Sequence, residues 1–218
     1  MDNQSNVSEK PLVYVALGDS LSVGIGAILK PGFVKRYAKM AELEIGRKVI
    51  SINFAMHGFT SQDVVKKLEQ SVVRFTLRQA DLITISVGGN DLRNAAKKYF
   101  KNGDEKLLNR AILQFKRNMD RILFEIALIK KNSTTPYLIR LVDVYNPFPN
   151  RKDTHVWVQR FYALLKSYEQ KNVSVTNIYN EFLGKENKLL FLDKLHPNAD
   201  GYQSIALALH KLGYRSLI

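Results

Sequence analysis

Leu12-Val13-Tyr14-Val15-Ala16-Leu17-Gly18-Asp19-Ser20-Leu21-Ser22 is the stretch on which the reading of the fold turns. It opens as an unbroken apolar run rich in β-branched and aromatic residues. A strand of that composition is buried on both faces, as strands are inside a parallel sheet. The run stops at Gly18, where the chain is free to turn sharply. A serine just after a buried strand, on a turn that feeds a helix, is well placed as a nucleophile. A turn or N-cap serine fits the same pattern. The stretch is not the Gly-x-Ser-x-Gly elbow, because Ser22 stands where the second glycine belongs.

Working outward, further short apolar runs occur at Lys48–Phe54, Leu82–Val87, Tyr137–Val144 and Val173–Ile178, each bounded by polar or Gly/Pro signals. Between them Phe33–Glu44, Ser61–Gln79, Leu107–Lys130, Thr154–Gln170 and Gly201–Leu212 carry apolar residues at helical spacing. The alternation predicts an α/β fold, with helices on both faces of one parallel sheet of five strands. One domain is expected over 11–218, preceded by a loose polar tail over 1–10. In such a sheet ligands bind beyond the carboxyl ends of the strands, so strand ends are where chemistry belongs.

The second strand runs out through Asn53 to Ser61, where Gly58 offers an unhindered backbone N–H or is an ordinary turn glycine. The third ends in Gly88-Gly89-Asn90-Asp91. Its Asn amide can donate to a ligand, and Asn90 or Asp91 can equally cap the next helix. Near the C-terminus Asp193-Lys194-Leu195-His196-Pro197 puts a carboxylate three residues before a histidine. That spacing lets the carboxylate fold back onto the imidazole, to fix its tautomer and stabilise its charged form. A surface histidine beside an ion-paired aspartate has the same sequence. Of the other histidines, His57 adjoins Gly58, His155 starts a helix and His210 lies on one. No His-x-x-x-His zinc spacing occurs, Gly24-x-Gly26 lacks the third glycine of a dinucleotide loop, and no phosphate loop is present.

Composition sets the outer bounds. The 218 residues are 45% hydrophobic and 24% charged, which excludes wholesale disorder and a collagen-like fibre. With no cysteine, thiol nucleophiles, Cys–metal sites and disulfides are excluded too. Lys+Arg 33 against Asp+Glu 20 gives +13. Such a balance favours nucleic acid, phospholipid surfaces or acidic substrates, or serves only a well-solvated surface. Lys97–Lys131 is densest, with ten basic against four acidic residues, on a segment that reads as an amphipathic helix. No nucleic-acid-binding signature accompanies it, so nucleic acid is not an expected partner. The polar Met1–Lys10 and the short first apolar run do not form a signal peptide. No run approaches the length of a membrane span. The expectation is a cytoplasmic monomer, with peripheral attachment at a membrane or cell-envelope surface, or prior removal of a leader, as the alternatives.

Taken together, these blocks resemble the SGNH hydrolases, also called GDSL esterases/lipases. Gly18-Asp19-Ser20-Leu21, Asn53 to Ser61, Gly88-Gly89-Asn90-Asp91 and Asp193-x-x-His196-Pro197 follow the family order across residues 12–205. The second block departs from the family in having His57 before Gly58, where serine is common, and Ala55, where glycine is frequent. The resemblance implies a three-layer α/β/α sandwich of flavodoxin-like, SGNH type around a five-stranded parallel sheet. It implies Ser20 as nucleophile, His196 as base and Asp193 as its orienter. Ser20 N–H, Gly58 N–H and the Asn90 amide would then form the oxyanion hole, with no metal and no cofactor. Within the family the chain looks most like small bacterial lysophospholipase- or lipase-like acylhydrolases. Phospholipid or lysophospholipid esters are the expected substrates. Short-chain or carbohydrate O-acetyl esters are the alternative, and a non-catalytic basic binding module on a hydrolase fold is the second alternative. His57, Phe59, Tyr145, Phe148 and Phe191 are the expected pocket residues, and Trp157 stands near the same loops.

Overall fold

The computed structural model describes residues 10–218, so most of the expected tail lies outside the described residues. The five apolar runs become β1 (Leu12–Gly18), β2 (Val49–Asn53), β3 (Leu82–Ser86), β4 (Leu138–Val142) and β5 (Val173–Val175). They form one sheet in the order β2-β1-β3-β4-β5, with every neighbouring pair parallel. All of β3 and β4 is buried, whereas β2, at the edge, is half exposed. This is why the central runs read as continuously apolar and β2 does not.

Side chains alternate along each strand, so the sheet feeds two cores. Val15, Leu17, Ile83 and Ile85 pack on one face beneath α3 (Ser61–Lys67), α4 (Ser71–Gln79), α6 (Lys106–Lys130) and α7 (Lys152–Lys166). Tyr14, Ala16 and Leu82 pack on the other, under α2 (Phe33–Ile45), α8 (Ile178–Phe182) and α10 (Ala199–His210). The short helices α1 (Ser20–Val23) and α9 (Glu186–Leu189) complete that side, and α5 (Gly89–Asn102) follows β3 directly. The three-layer α/β/α arrangement is the expected one.

The structure departs from the expectation at two helices. The stretch Ser61–Gln79 is broken: Glu69 N–H and Gln70 N–H bond the carbonyls of Lys66 and Lys67, and Gln70 turns extended. The break lets Val64 and Leu68 on one side, and Val73 and Leu77 on the other, all reach the same core. The Lys97–Lys131 segment, expected as one amphipathic helix, is divided at the left-handed Gly103, and its first part belongs to a separate helix, α5, which begins at Gly89 and buries only Leu92 and Ala95. Two glycines at the sheet's carboxyl edge are obligatory. A Cβ on Gly18, at φ 144°, would lie 2.3 Å from Ser86 O, and one on Gly88, at φ 116°, would lie 2.1 Å from Phe161 Cζ.

Candidate active site

At the end of β1 the Asp19 carboxylate caps α1, its Oδ1 accepting Leu21 N–H at 3.0 Å. Ser20 is the first helical residue, so its own N–H has no partner within the helix. Ser22 Oγ bonds Ser86 Oγ at 2.7 Å, and Asn53 Nδ2 donates to Ser22 O at 2.6 Å. These bonds seat the Ser20 turn against β3 and β2.

The 191–197 turn lies across from it. Asp193 Oδ1 accepts the N–H groups of Leu195 and His196, both at 2.9 Å, and Lys194 takes a left-handed φ of 56° to close the turn. The second carboxylate oxygen then meets His196 Nδ1 at 2.6 Å. His196 Nε2 stands 3.1 Å from Ser20 Oγ. With Nδ1–H given to Asp193, Nε2 is left to accept the serine proton. Burial pushes the Asp193 carboxyl up, but the His196 ring and the two backbone N–H groups outweigh it and hold it below its usual range. Tyr145 Oη donates to Leu195 O at 2.6 Å and stacks on Phe182, which clamps the turn from beneath.

The third wall joins the β2 and β3 ends. Met56 N–H donates to Gly18 O at 3.2 Å, and one hydrogen of the Asn90 amide goes to Phe59 O at 2.9 Å. Asp91 draws the same loop in, accepting Ser61 N–H at 2.9 Å and Ser61 Oγ–H at 2.5 Å. Asn118, buried on α6, donates to Ser61 Oγ at 2.7 Å. Sequence reasoning missed the Ser61–Asp91–Asn118 latch. The signal for it is a polar Asn118 on the buried stripe of Phe115, Met119 and Ile122.

A buried carboxylate, Asp19, and a half-buried one, Asp91, lie under this site with no cation among the causes of their shifts. Burial pushes Asp19 up to about 7. The Leu21 N–H opposes the rise and the neighbouring Asp91 adds to it. Asp91 is raised for the same first reason, with the Ser61 bonds opposing.

The site opens into a cleft of roughly 1060 Å³, open mouth included. Ser20, Gly58, Asn90 and His196 line one end of it. Leu92, Ala96, Tyr99 and Phe100 of α5 face Val144, Pro147, Phe148 and Trp157 across it. Of the expected pocket residues, His57, Tyr145 and Phe148 line the cleft, and the His57 ring is 5.8 Å from that of His196. Phe59 and Phe191 do not. Phe59 packs against the core and offers only its carbonyl, to Asn90. Phe191 lies at the base of the turn, its N–H bonded to His196 O at 2.7 Å, beside Gly26. Trp157 is a wall of the cleft, packed with Ala95 and Leu108. No cluster of three metal-ligating side chains occurs among the described residues.

Residues 14–209 match the family described as GDSL-like lipase/acylhydrolase. The chain belongs to that family. This GDSL hydrolase is 36% identical over 208 residues to the spore germination lipase LipC of Bacillus licheniformis, covering 94% of this chain and 98% of that protein. It is similar to the lipase Lip_vut3 from a goat rumen metagenome, with 35% identity, a TM-score of 0.92, and coverage of 95% of this chain and all of that one. A catalytic mutant of the acetylxylan esterase Axe2 from Geobacillus stearothermophilus shares the fold alone, at 16% identity and a TM-score of 0.68 over 94% of each chain. The GDSL hydrolase is thus a carboxylic ester hydrolase whose substrates are esters. No helix among the described residues is long and apolar enough to cross a membrane.

Proposed function

We propose that this hydrolase cleaves the acyl ester of a phospholipid or lysophospholipid through a Ser20–His196–Asp193 triad. The observation that carries the triad is the unbroken hydrogen-bond line from Ser20 Oγ to His196 Nε2, 3.1 Å, and from His196 Nδ1 to Asp193, 2.6 Å. Ser20 Oγ attacks the ester carbonyl carbon as its proton passes to His196 Nε2. The carbonyl oxygen gains the negative charge and takes hydrogen bonds from Ser20 N–H, Gly58 N–H and the free hydrogen of the Asn90 amide. Collapse breaks the bond to the alkoxide, which leaves with the proton from His196. Water then repeats the sequence on the acyl-enzyme, with His196 again as base, and the fatty acid departs. The Asp193 carboxyl, held below its usual range, stays ionised to support the imidazolium.

The largely apolar walls from Leu92 to Phe100 and from Val144 to Trp157 favour an acyl chain over a sugar acetate. Contact with an anionic lipid surface belongs to the same reading. Exposed Ile28, Leu29 and Leu192, with Lys30 and Lys194, lie on the two loops that meet where Gly26 packs against Phe191 and His196. Esters of rising chain length, assayed beside Ser20→Ala, test the proposal. Wild-type turnover should favour medium or long chains. The variant should lose on the order of 10⁶-fold in kcat, the cost of removing the nucleophile of a serine protease. A Ser20→Ala protein that folds and keeps a few per cent of wild-type turnover removes the triad.

A further inference from the structure

Arg93 is the one lysine or arginine that lines the cleft among the described residues. It is partly buried, and among the described residues its guanidinium has neither a hydrogen-bond nor an ion-pair partner. Its stem lies along the cleft wall while its charged head stays open to solvent, so it is free to take an anionic ligand that enters the cleft. We propose that Arg93 binds a phosphate carried by the alcohol half of the substrate, and so makes the enzyme prefer phosphate-bearing esters. The inference rests on the ester-hydrolase reading of the same site and names the group that selects its substrate.

Placement on α5 supports it. Asn90 and Arg93 are three residues apart and share a helix face, with Cβ atoms roughly 5–6 Å apart. Leu92, Ala96 and Tyr99 recur at i, i+4 and i+7 and make an apolar stripe beside that polar pair; all five residues line the cleft. From the ester carbonyl at Asn90, an acyl chain therefore has an apolar path along one stripe. A glycerol-linked phosphate has a cation one helical turn away on the other. The planar fork of a guanidinium suits bidentate contact with phosphate oxygens.

The carboxylates around the cleft do not occupy this cation. Asp153, on the α7 side, is engaged by Arg151 at 3.3 Å. Asp91 is held by Ser61, and Asp19 is buried with its carboxyl pushed up to about 7. Arg151, the other arginine near the mouth, already lies 3.7 Å over the Phe100 ring.

The test uses a pair of soluble esters, 1-octanoyl glycerol and 1-octanoyl glycerol 3-phosphate, below their aggregation limits so that no lipid surface enters. For the wild type, kcat/KM should be higher on the phosphate ester. In Arg93→Gln the ratio of the two kcat/KM values should fall about 10- to 100-fold, chiefly through KM of the phosphate ester, as expected for a charge-assisted hydrogen bond. Arg93→Lys, which keeps the charge but not the fork, should recover part of the ratio. A ratio unchanged in Arg93→Gln, including an equal loss on both esters, overturns the proposal. A wild type inert toward both esters overturns the triad reading instead. Calorimetric binding of the phosphate ester to wild type and to Arg93→Gln then decides the anion site by itself: weaker binding to the variant supports it, and equal binding overturns it.

Discussion

Asp19→Asn should make the enzyme more stable, by a margin that widens by about 3 kcal/mol between pH 5 and pH 8. Asp19 is 4% exposed, has Asp91 near it and has no cation among the causes of its shift. Its carboxyl is pushed from 3.8 to about 7, first by burial. In the unfolded chain it returns to the ordinary range of about 3.9. A native pKa raised above the unfolded one means that the folded state holds a proton the unfolded state has released. The stability this confers is full below about pH 4 and is lost as pH rises through 7. Between about pH 4 and 7 the slope is about 1.4 kcal/mol per pH unit, so this one group removes about 4 kcal/mol by pH 8, roughly 3 kcal/mol of it above pH 5. Asparagine keeps the Oδ1 acceptor that caps Leu21 N–H, is nearly isosteric with the neutral acid, and cannot ionise. Asp143 is also raised, to about 6, by burial, but is present in both proteins and cancels in the comparison. The assay is urea unfolding at pH 5 and pH 8, followed through the single tryptophan, Trp157, which is buried. By pH 5 the unfolded chain has already released this proton, so the variant should lead there by about 1.5 kcal/mol. At pH 8 the lead should be about 4 kcal/mol, a widening of about 3 kcal/mol, or roughly 6–12 °C in Tm for a chain of this size. Parallel stability curves across this range would refute the claim that an uncompensated, buried Asp19 carries the penalty.

Two further outcomes are expected. Ser61→Ala cuts the link from Asn118 to Asp91 and leaves buried polar groups unpaired, so stability should drop by about 1–3 kcal/mol. If the latch positions Gly58 and Asn90, kcat should fall with KM nearly unchanged; an unchanged kcat assigns the latch to stability alone. Hydrolysis of lipid in anionic vesicles should exceed that in neutral vesicles of matched area at low salt. The advantage should shrink toward physiological salt, as the Debye length falls from about 30 Å at 0.01 M to about 8 Å at 0.15 M. Equal turnover on both surfaces would leave the +13 charge without a role in reaching substrate.

What the sequence revealed, and what it hid, follows from which surface each residue serves. The central strands were legible because both faces of β1, β3 and β4 are buried, so nearly every position had to be apolar. Ser20 and Asn90 stood out because each follows a strand at a glycine signal, and Asp193 and His196 because they lie three residues apart before Pro197; Ser20, Asn90 and His196 line one cleft, and Asp193 adjoins it through the His196 ring. The Ser61–Asp91–Asn118 latch was not legible, since its members are 30 and 57 positions apart and no local spacing relates them. Helix α5 was only partly legible, as a helix that Asn90 or Asp91 could cap and as the start of the basic Lys97–Lys131 segment, and for a different reason. A helix that covers a core shows an apolar stripe against a polar one, but α5 covers a cleft. Its inward face mixes Asn90 and Arg93 with Leu92, Ala96, Tyr99 and Phe100, while Lys97, Lys98 and Lys101 are exposed or rim positions. Its apolar residues keep helical spacing, with Leu92, Ala96 and Tyr99 at i, i+4 and i+7, but they are few among charged and polar neighbours, so the stretch reads as polar overall. The same mixture is what a ligand-facing wall requires: apolar contact for a chain, a donor for the reacting oxygen and a cation for an anionic group. A few apolar residues at helical spacing beside a polar pair are therefore what the proposed binding wall would need, and they fall on the helix that carries both Asn90 and Arg93.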